Sequence, residues 1–267
     1  MTDAIMRISF VLVLALGFTS FADDARAEIK TKTITYKDGD VTLKGMMAWD
    51  DAMNGKRPGV LVIGEWWGLN DANKDRARRF AAAGSVAFAP DMYGDGKITR
   101  DPKMAGKLMN SVIDDVKVWR QRAQAGLDIL KAHPNVDGSK LAAMGSSFGG
   151  GTAVQMAYAG HDIKAAICIA SIQCKQPVPE DVTSVKPRIL VFQARDDAWV
   201  KQDLVNAFMD SLDRVKADWE LITYSGAVHS FATPGSDSYG IDNMAYNEMA
   251  DKRSWAAMTS LLEDVFK

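Results

Sequence analysis

Histidine and cysteine are scarce in this chain, with three histidines and two cysteines among 267 residues. Cys168 and Cys174 do not have the C-x-x-C spacing of a redox motif, and the scattered histidines give no zinc pattern. The sequence therefore predicts no metal and no cofactor. Two free thiols are favoured over a disulfide, because a strand cysteine that faces the core reaches a loop partner only with suitable geometry.

An excess of charge of one sign is also missing, since 32 basic residues face 34 acidic ones for a net charge of −2. This balance predicts neither a nucleic-acid partner nor binding to an anionic membrane. The N-terminal apolar run, 8–21, is too short for a comfortable membrane span. Arg7 precedes it and Ala25-Arg26-Ala27 follows, which is typical of a secretory signal peptide cleaved near Ala27. An uncleaved anchor is the alternative.

Removal of residues 1–27 leaves a mature chain, 28–267, that we expect to be periplasmic or secreted without stable membrane association. No repeat, low-complexity tract or Gly/Ser linker divides it, so one domain is expected, and a monomer core accounts for its apolar helix faces. Strand-like runs alternate with helical stretches, which predicts an α/β fold with a mostly parallel, doubly wound sheet. Thr31 to Tyr36 and Val41 to Trp49 predict an antiparallel hairpin at its N-terminal edge. The predicted helices are Lys74 to Ala83, Ala105 to Lys131, Gln202 to Val215 and Ala245 to Phe266.

The most informative motif is Gly145-Ser146-Ser147-Phe148-Gly149, a G-x-S-x-G sequence between an apolar run and a helical stretch. A strand, a tight glycine-flanked turn and a helix are the order of a nucleophile elbow, which exposes a serine hydroxyl on a strained backbone. An ordinary glycine turn after a strand is the alternative. Ser147 is therefore predicted to be a catalytic nucleophile.

A serine nucleophile needs a base, usually a histidine that a carboxylate orients. With such an elbow the residues follow the order serine, acid, histidine along the chain. His133 precedes the serine, and His161 follows it too closely to leave room for a strand and an acid. His229, on a loop after the predicted strand Trp219 to Tyr224, is the predicted base.

The acid is expected between these two residues, at the end of a strand. The continuous apolar run Arg188 to Gln193 has the character of a buried parallel strand and leads to Asp196 and Asp197. Asp197 is the preferred acid. Asp196 stays open as the alternative, and a carboxylate of a turn or helix N-terminus is its other interpretation.

The loop after the third predicted strand, Val60 to Ile63, begins Gly64-Glu65-Trp66-Trp67. In folds with this elbow, that loop and the residue after the nucleophile each donate a backbone N–H to the oxyanion hole. The predicted donors are the amides of Trp66 and Phe148.

Together these segments resemble the dienelactone hydrolase family of α/β-hydrolases, over roughly the whole chain after the leader. The resemblance implies an α/β-hydrolase fold, and it implies that Glu65 contacts the nucleophile and modulates its ionisation. A loop carboxylate satisfied by backbone amides is the other interpretation of Glu65. The segments that carry the resemblance are Glu65 to Asn70, Ala89 to Gly94, the elbow, Asp197 to Val200 and His229 to Phe231.

Two features depart from the family pattern. Dienelactone-cleaving members use a cysteine where this chain has Ser147, so the base must remove a proton from a less acidic group. Those members also hold the substrate carboxylate with two arginines, and the corresponding neighbourhoods here contain Asp95 and Thr233. Without arginine forks an anionic lactone loses bidentate recognition, so dienelactone itself is not the expected substrate.

The predicted substrate contacts are aromatic side chains on the same loops: Trp67, Tyr93, Trp199 and Phe231. Such walls favour weakly polar acyl groups, although these aromatics could instead pack the loops onto the sheet. The short Pro-rich connection after Cys174 predicts little or no cap domain. The expected activity is hydrolysis of small carboxylic esters or lactones. A peptidase or thioesterase with the same triad and a dormant periplasmic binding protein are the alternatives.

Overall fold

The computed structural model describes residues 28–170 and 177–267. The predicted signal peptide, 1–27, and Cys174 lie outside the described residues. Cys168 is buried in a central strand, where its Sγ lies 3.4 Å from the carbonyl oxygen of Gly150.

Eight strands form one sheet in the order β1-β2-β4-β3-β5-β6-β7-β8. The predicted hairpin is confirmed: β1 pairs antiparallel with β2 at the sheet edge, β2 pairs antiparallel with β4, and the remaining pairs are parallel. The strands are β1 (Ile29–Asp38), β2 (Val41–Asp50), β3 (Arg57–Ile63), β4 (Val86–Ala89), β5 (Val136–Ser146), β6 (Ala165–Ile169), β7 (Arg188–Ala194) and β8 (Trp219–Tyr224).

Helices cover both faces of the sheet, as the alternation of elements predicts. Phe80 and Met258, from the first and last helices, belong to one core layer, whereas Leu127, Met156 and Phe208 belong to the other. The central strands are buried on both faces and are therefore continuously apolar. The helices are α1 (Asp71–Ala82), α2 (Pro102–Ile113), α3 (Val116–Lys131), α4 (Phe148–Tyr158), α5 (Gln202–Arg214) and α6 (Glu248–Val265).

One expectation about the helices needs correction. A single helix over 105–131 is wrong, because α2 ends at Ile113 and α3 starts anew at Val116. The side chain of Asp115 accepts the amide hydrogen of Lys117 and so caps the second helix. The sequence sets no bounds for β4, the short strand before the Tyr93 loop, because four apolar residues carry too little periodicity to delimit a strand.

The candidate site lies where the parallel strands end. Ser147 follows β5, Glu65 follows β3, Asp197 follows β7 and His229 follows β8. Because the carboxyl ends of parallel strands meet at one edge of the sheet, the loops that carry these residues meet there. The fold thereby brings together side chains as far apart in sequence as Glu65 and His229.

Candidate active site

The turn between β5 and α4 holds Ser147 in a strained conformation. Its backbone has φ 51° and ψ −115°, a region that residues with a side chain rarely adopt. The amide of Ser147 donates to the carbonyl oxygen of Ile169 at 2.9 Å. A Cβ at Gly145 would collide with the backbone of Gly149, and one at Gly149 would collide with the carbonyl of Ile63. The two glycines therefore allow the close backbone approach that the elbow requires.

Ser147, His229 and Asp197 form a continuous hydrogen-bonded chain. His229 Nε2 lies 2.9 Å from Ser147 Oγ, and His229 Nδ1 lies 2.8 Å from Asp197 Oδ2. All three residues are buried, so the two hydrogen bonds that join them are shielded from bulk water. The geometry suits transfer of the serine proton to the imidazole, with the carboxylate orienting the ring.

The two adjacent aspartates have different partners. Asp197 bonds His229 through Oδ2 and accepts the amide hydrogen of Trp199 on Oδ1 at 2.9 Å. Asp196 is exposed, and its carboxylate accepts the amide hydrogen of Gly226 at 3.1 Å. Asp197 is thus the residue that lies against the histidine, while Asp196 stabilises the start of the loop that leads to His229.

Asn243 connects the loops of the acid and the histidine, and sequence reasoning did not identify it. Its Oδ1 accepts from the amide of Ala198 at 2.5 Å, and its Nδ2 donates to the carbonyl of Asp196 at 2.8 Å. Its own carbonyl accepts the amide hydrogen of His229 at 3.1 Å. An isolated asparagine after a loop carries no motif, so no sequence signal could have indicated this role.

The Trp66 amide and the Phe148 amide are the predicted oxyanion donors. Within the described parts of the chain, neither amide donates a hydrogen bond to a protein acceptor. The Tyr93 hydroxyl donates to the carbonyl of Trp66 at 3.0 Å, and the Tyr93 ring stacks on Phe148 at 5.9 Å between centroids. Tyr93 therefore contacts both residues of the predicted oxyanion hole.

The four predicted substrate contacts differ in accessibility. Trp67 and Phe231 are 0% exposed and Tyr93 is 6% exposed, whereas Trp199 is only partly buried. The indole of Trp199 lies over the imidazole of His229, with ring centroids 4.3 Å apart and an interplanar angle of 36°. Buried aromatic rings pack the loops onto the sheet, so Trp199 is the member of this set that a ligand at the triad can reach in this arrangement.

A groove of about 670 Å³ adjoins the site on the α1 side of the sheet. Its wall includes Ser146, which immediately precedes the candidate nucleophile, and Thr233 from the histidine loop. It continues along α1 towards α6, past Arg76 and Asp251. None of Ser147, Asp197 and His229 lines it, so the groove is a neighbouring compartment and not the triad pocket itself.

No group of three or more histidine, cysteine, aspartate or glutamate side chains could hold a metal ion within residues 28–170 and 177–267. Over the same ranges, no helix has the length and apolar character needed to cross a membrane.

Comparison with protein families matches residues 43–266 to the model of the dienelactone hydrolase family. The match covers most of the chain, and it includes the elbow, both loops of the triad and the predicted oxyanion loop. This chain belongs to the dienelactone hydrolase family.

Solved structures and a curated relative are similar to this dienelactone hydrolase family member. A crystal structure described as a dienelactone hydrolase-like promiscuous phosphotriesterase from metagenomic libraries is 37% identical, with a TM-score of 0.84, and the match covers 91% of this chain and 100% of that one. The protein usf of Aquifex pyrophilus is 32% identical over 179 residues, 65% of this chain and 76% of the relative. A dienelactone hydrolase from Anabaena variabilis, 17% identical with a TM-score of 0.60 over 86% of this chain and 98% of that one, shares the fold.

Glu65 has a specific partner in this dienelactone hydrolase family member. Its Oε1 accepts the hydroxyl hydrogen of Thr233 at 2.8 Å, while the buried Oε2 has no hydrogen-bond partner within the described residues. Thr233 stands four residues after His229, where the sequence comparison with dienelactone-cleaving members expects an arginine. The carboxylate is thus held by a neutral hydroxyl, and its modulation of Ser147 remains a prediction.

Proposed function

We propose that this protein hydrolyses small carboxylic esters or lactones through a covalent acyl-enzyme on Ser147. The proposal is carried by two hydrogen-bond distances. His229 Nε2 lies 2.9 Å from Ser147 Oγ, and His229 Nδ1 lies 2.8 Å from Asp197 Oδ2. Membership of the dienelactone hydrolase family supports a hydrolase.

In the acylation step, His229 Nε2 takes the proton of Ser147 Oγ while the oxygen attacks the carbonyl carbon of the ester. The tetrahedral intermediate collapses when the histidine returns the proton to the leaving alkoxide, which departs as the alcohol. Asp197 keeps the second ring nitrogen protonated and stabilises the transient imidazolium.

In the deacylation step, His229 activates a water molecule that attacks the acyl carbonyl, and the acid product leaves as Ser147 recovers its proton. The Trp66 and Phe148 amides donate to the oxyanion in both steps. One such donor contributes about 3 kcal/mol of transition-state stabilisation in comparable sites.

The proposed substrate contacts are Trp199 and Trp66, whose rings lie 6.4 Å apart in an edge-to-face arrangement. Both are partly exposed, and Trp199 lies against the ring of His229, so they offer apolar surface to an acyl or alcohol group. Trp67, Tyr93 and Phe231 are buried and pack the loops onto the sheet. The partner is a small molecule, and we propose that the protein acts as a periplasmic or secreted monomer.

The decisive experiment treats the mature chain, 28–267, with a fluorophosphonate probe and locates the labelled peptide by mass spectrometry. We expect labelling at Ser147 that is lost in His229→Ala, and loss of p-nitrophenyl ester turnover in Ser147→Ala with an unchanged circular dichroism spectrum. A panel of esters, thioesters, peptide amides and phosphotriesters then ranks the activities by kcat/KM. Ester turnover retained by Ser147→Ala, or absence of labelling in folded protein, contradicts the proposal.

A further inference from the structure

A buried carboxylate fixes the loop that follows β4. Asp91 is 1% exposed, and its carboxylate accepts four backbone amide hydrogens. Oδ1 accepts those of Tyr93 and Gly94, each at 2.9 Å. Oδ2 accepts those of Gly96 at 2.7 Å and of Lys44, on β2, at 3.0 Å. Because hydrogen bonds from amides to a carboxylate are strong, they fasten the loop, and Tyr93 within it, to the sheet.

A second anchor lies directly before Tyr93. The carbonyl of Met92 accepts a hydrogen bond from Arg122 Nη1 at 2.9 Å, and Arg122 Nε lies 2.7 Å from Asp38 Oδ2. The side chain of Arg122 is 7% exposed and that of Asp38 is 20% exposed, so solvent and salt screen this pair little. The main chain is therefore held on both sides of Tyr93.

The hydroxyl of Tyr93 bonds the loop that follows β3. It donates to the carbonyl oxygen of Trp66 at 3.0 Å, and Trp66 carries one of the two amides proposed for the oxyanion hole. Burial, and then the charge of Asp91, raise the pKa of this phenol above its usual range. The phenol therefore keeps its proton at neutral and mildly alkaline pH and remains a donor. Its bond restrains the main chain at Trp66.

The ring of Tyr93 contacts the residue that carries the other amide. It stacks on Phe148 with centroids 5.9 Å apart and an interplanar angle of 25°. Trp119 also stacks on Phe148, with centroids 6.0 Å apart, and its Nε1 donates to Thr152 Oγ1 at 2.7 Å. The Thr152 hydroxyl in turn donates to the carbonyl of Phe148 at 2.9 Å. Phe148 is thus restrained at both its ring and its main chain.

We propose that Tyr93 is a positioning residue for the oxyanion hole. Its hydroxyl holds Trp66 and its ring holds Phe148, so one side chain on a fixed loop sets the distance between the two amides. Since Tyr93 is only 6% exposed, it acts through these two residues, and this role replaces the predicted substrate contact. Preorganised donors stabilise a developing oxyanion without the cost of reorienting them. The inference rests on the proposed esterase function and names a further residue on which its transition-state stabilisation depends.

The first test is Tyr93→Phe, which removes the bond to Trp66 and keeps the ring on Phe148. We expect kcat for p-nitrophenyl acetate to fall by about tenfold, less than the loss of about 10²- to 10³-fold that accompanies removal of a whole oxyanion donor. KM should change little, because the restraint matters most in the transition state.

The matched control is Tyr239→Phe, which also removes a phenol hydroxyl beside the loop after β3. The ring of Tyr239 stacks on Trp67 with centroids 4.3 Å apart, and its hydroxyl accepts from Asn70 Nδ2 at 3.2 Å. This variant loosens the same loop without altering the bond to Trp66, so its kcat should stay close to that of wild type. Circular dichroism verifies that both variants are folded.

A pair of inhibitors separates oxyanion stabilisation from substrate binding. Ser147 Oγ adds to the carbonyl carbon of a trifluoromethyl ketone while His229 takes the proton, and the ketone oxygen becomes an oxyanion that mimics the transition state. The matching methyl ketone binds without this addition. In Tyr93→Phe the Ki of the trifluoromethyl ketone should rise by the factor by which kcat/KM falls, whereas the Ki of the methyl ketone should not change. If wild type hydrolyses esters, an unchanged kcat, a change confined to KM or an equal loss in Tyr239→Phe overturns the proposal.

Backbone relaxation measured by NMR tests the positioning without turnover. In isotope-labelled protein, the amides of Trp66 and Phe148 should show lower order parameters or exchange broadening in Tyr93→Phe, and neither change in Tyr239→Phe. If wild type hydrolyses no ester but these changes occur, the positioning role stands and the esterase function is the part that fails. If both amides relax in Tyr93→Phe as they do in wild type, the positioning role is overturned, whether or not esters are hydrolysed.

Discussion

The main-chain carbonyl of Asn243 accepts the amide hydrogen of His229 at 3.1 Å, while its side chain holds the loop of Asp197. One residue thus sets the spacing between the candidate base and the candidate acid from outside the triad. A parallel bridge between His229 and Met244 extends the same contact.

Replacement of Asn243 by glycine, which tolerates the backbone φ of 62° at this position, is expected to impair turnover more than folding. The variant loses both side-chain bonds to the acid loop, and a displaced loop misaligns the imidazole, so kcat should fall by about 10- to 100-fold. Steady-state hydrolysis of p-nitrophenyl acetate measures the loss. Asn206→Ala, which removes an exposed asparagine on α5, is the control, and equal activity of the two variants contradicts the bracing role.

Substitution of the two neighbouring aspartates should have very different effects on kcat. Asp197→Asn keeps the shape of the site but allows the wrong histidine tautomer, so kcat should fall by about 10⁴-fold as in comparable triads. Asp196→Asn should stay within a few-fold of wild type, because among the described residues its carboxylate bonds only the Gly226 amide. The measurement is kcat for one ester in both variants, and the reverse order would assign the acid to Asp196.

Because the backbone at Ser147 is strained, glycine should be more stabilising than alanine at this position. Both Ser147→Gly and Ser147→Ala remove the hydroxyl and should be inactive. Glycine tolerates φ 51° and ψ −115°, so Ser147→Gly should have a free energy of unfolding about 1 kcal/mol higher than Ser147→Ala. Urea denaturation of both variants measures the difference, and equal stability would mean that the elbow stores no strain.

The face of the Trp199 indole should stabilise the His229 imidazolium that forms during turnover, since the two ring centroids lie 4.3 Å apart. An aromatic face stabilises a nearby cation by about 1 to 2 kcal/mol, so Trp199→Leu should lower kcat by about tenfold through the imidazolium. The main-chain bond from residue 199 to Asp197 persists in the variant. Trp199→Phe is the control and should retain most of kcat. A change confined to KM in both variants would assign the ring to substrate contact alone.

Stability should decrease in acid because of His161. Burial, and to a lesser extent Arg120, lowers the pKa of His161 below its usual 6.5, and its Nδ1 is buried without a partner within the described residues. The unfolded chain then binds a proton at higher pH than the folded one. The contribution of His161 to stability is complete above 6.5 and is lost as pH falls through the folded pKa.

Urea denaturation between pH 8 and about 5 tests this expectation in wild type and His161→Gln. The variant should show a shallower decrease in the free energy of unfolding. His133, whose pKa burial also lowers, supplies a remaining dependence in both proteins. Identical slopes would remove His161 from the acid response.

The sequence was most informative where chemistry imposes a local pattern. The glycines around Ser147 and the apolar run before Asp197 could be recognised, because an elbow needs small residues and buried parallel strands are continuously apolar. The solvent exposure of the loop aromatics could not be predicted from such a local pattern. Trp67 and Trp199 stand on similar loops, yet one is 0% exposed and the other faces the histidine, since packing between distant loops decides the difference.

The contacts of Asn243 and the pairing of Arg76 with Asp251 cannot be predicted from the pattern of residues along the sequence. Arg76 and Asp251 are 175 positions apart, and their pairing requires α1 and α6 to meet on one face of the sheet. The absence of arginine at Asp95 and Thr233 argued against anionic ligands. The fold brings Arg76, Arg79 and Arg100 to the neighbouring groove together with an equal number of aspartates, a grouping that the sequence does not show.

Because of the close backbone contacts at Gly145 and Gly149, the elbow should tolerate mutation less than the loops around it. Any side chain at either position would push β5, α4 and the end of β3 apart. The aromatic side chains of Tyr93, Trp199 and Phe231 come instead from loops that follow β4, β7 and β8. A mutagenesis library that varies those loops and leaves both glycines unchanged should therefore yield new substrate preferences at a high frequency of folded clones, whereas diversity at the elbow should yield mostly unfolded ones.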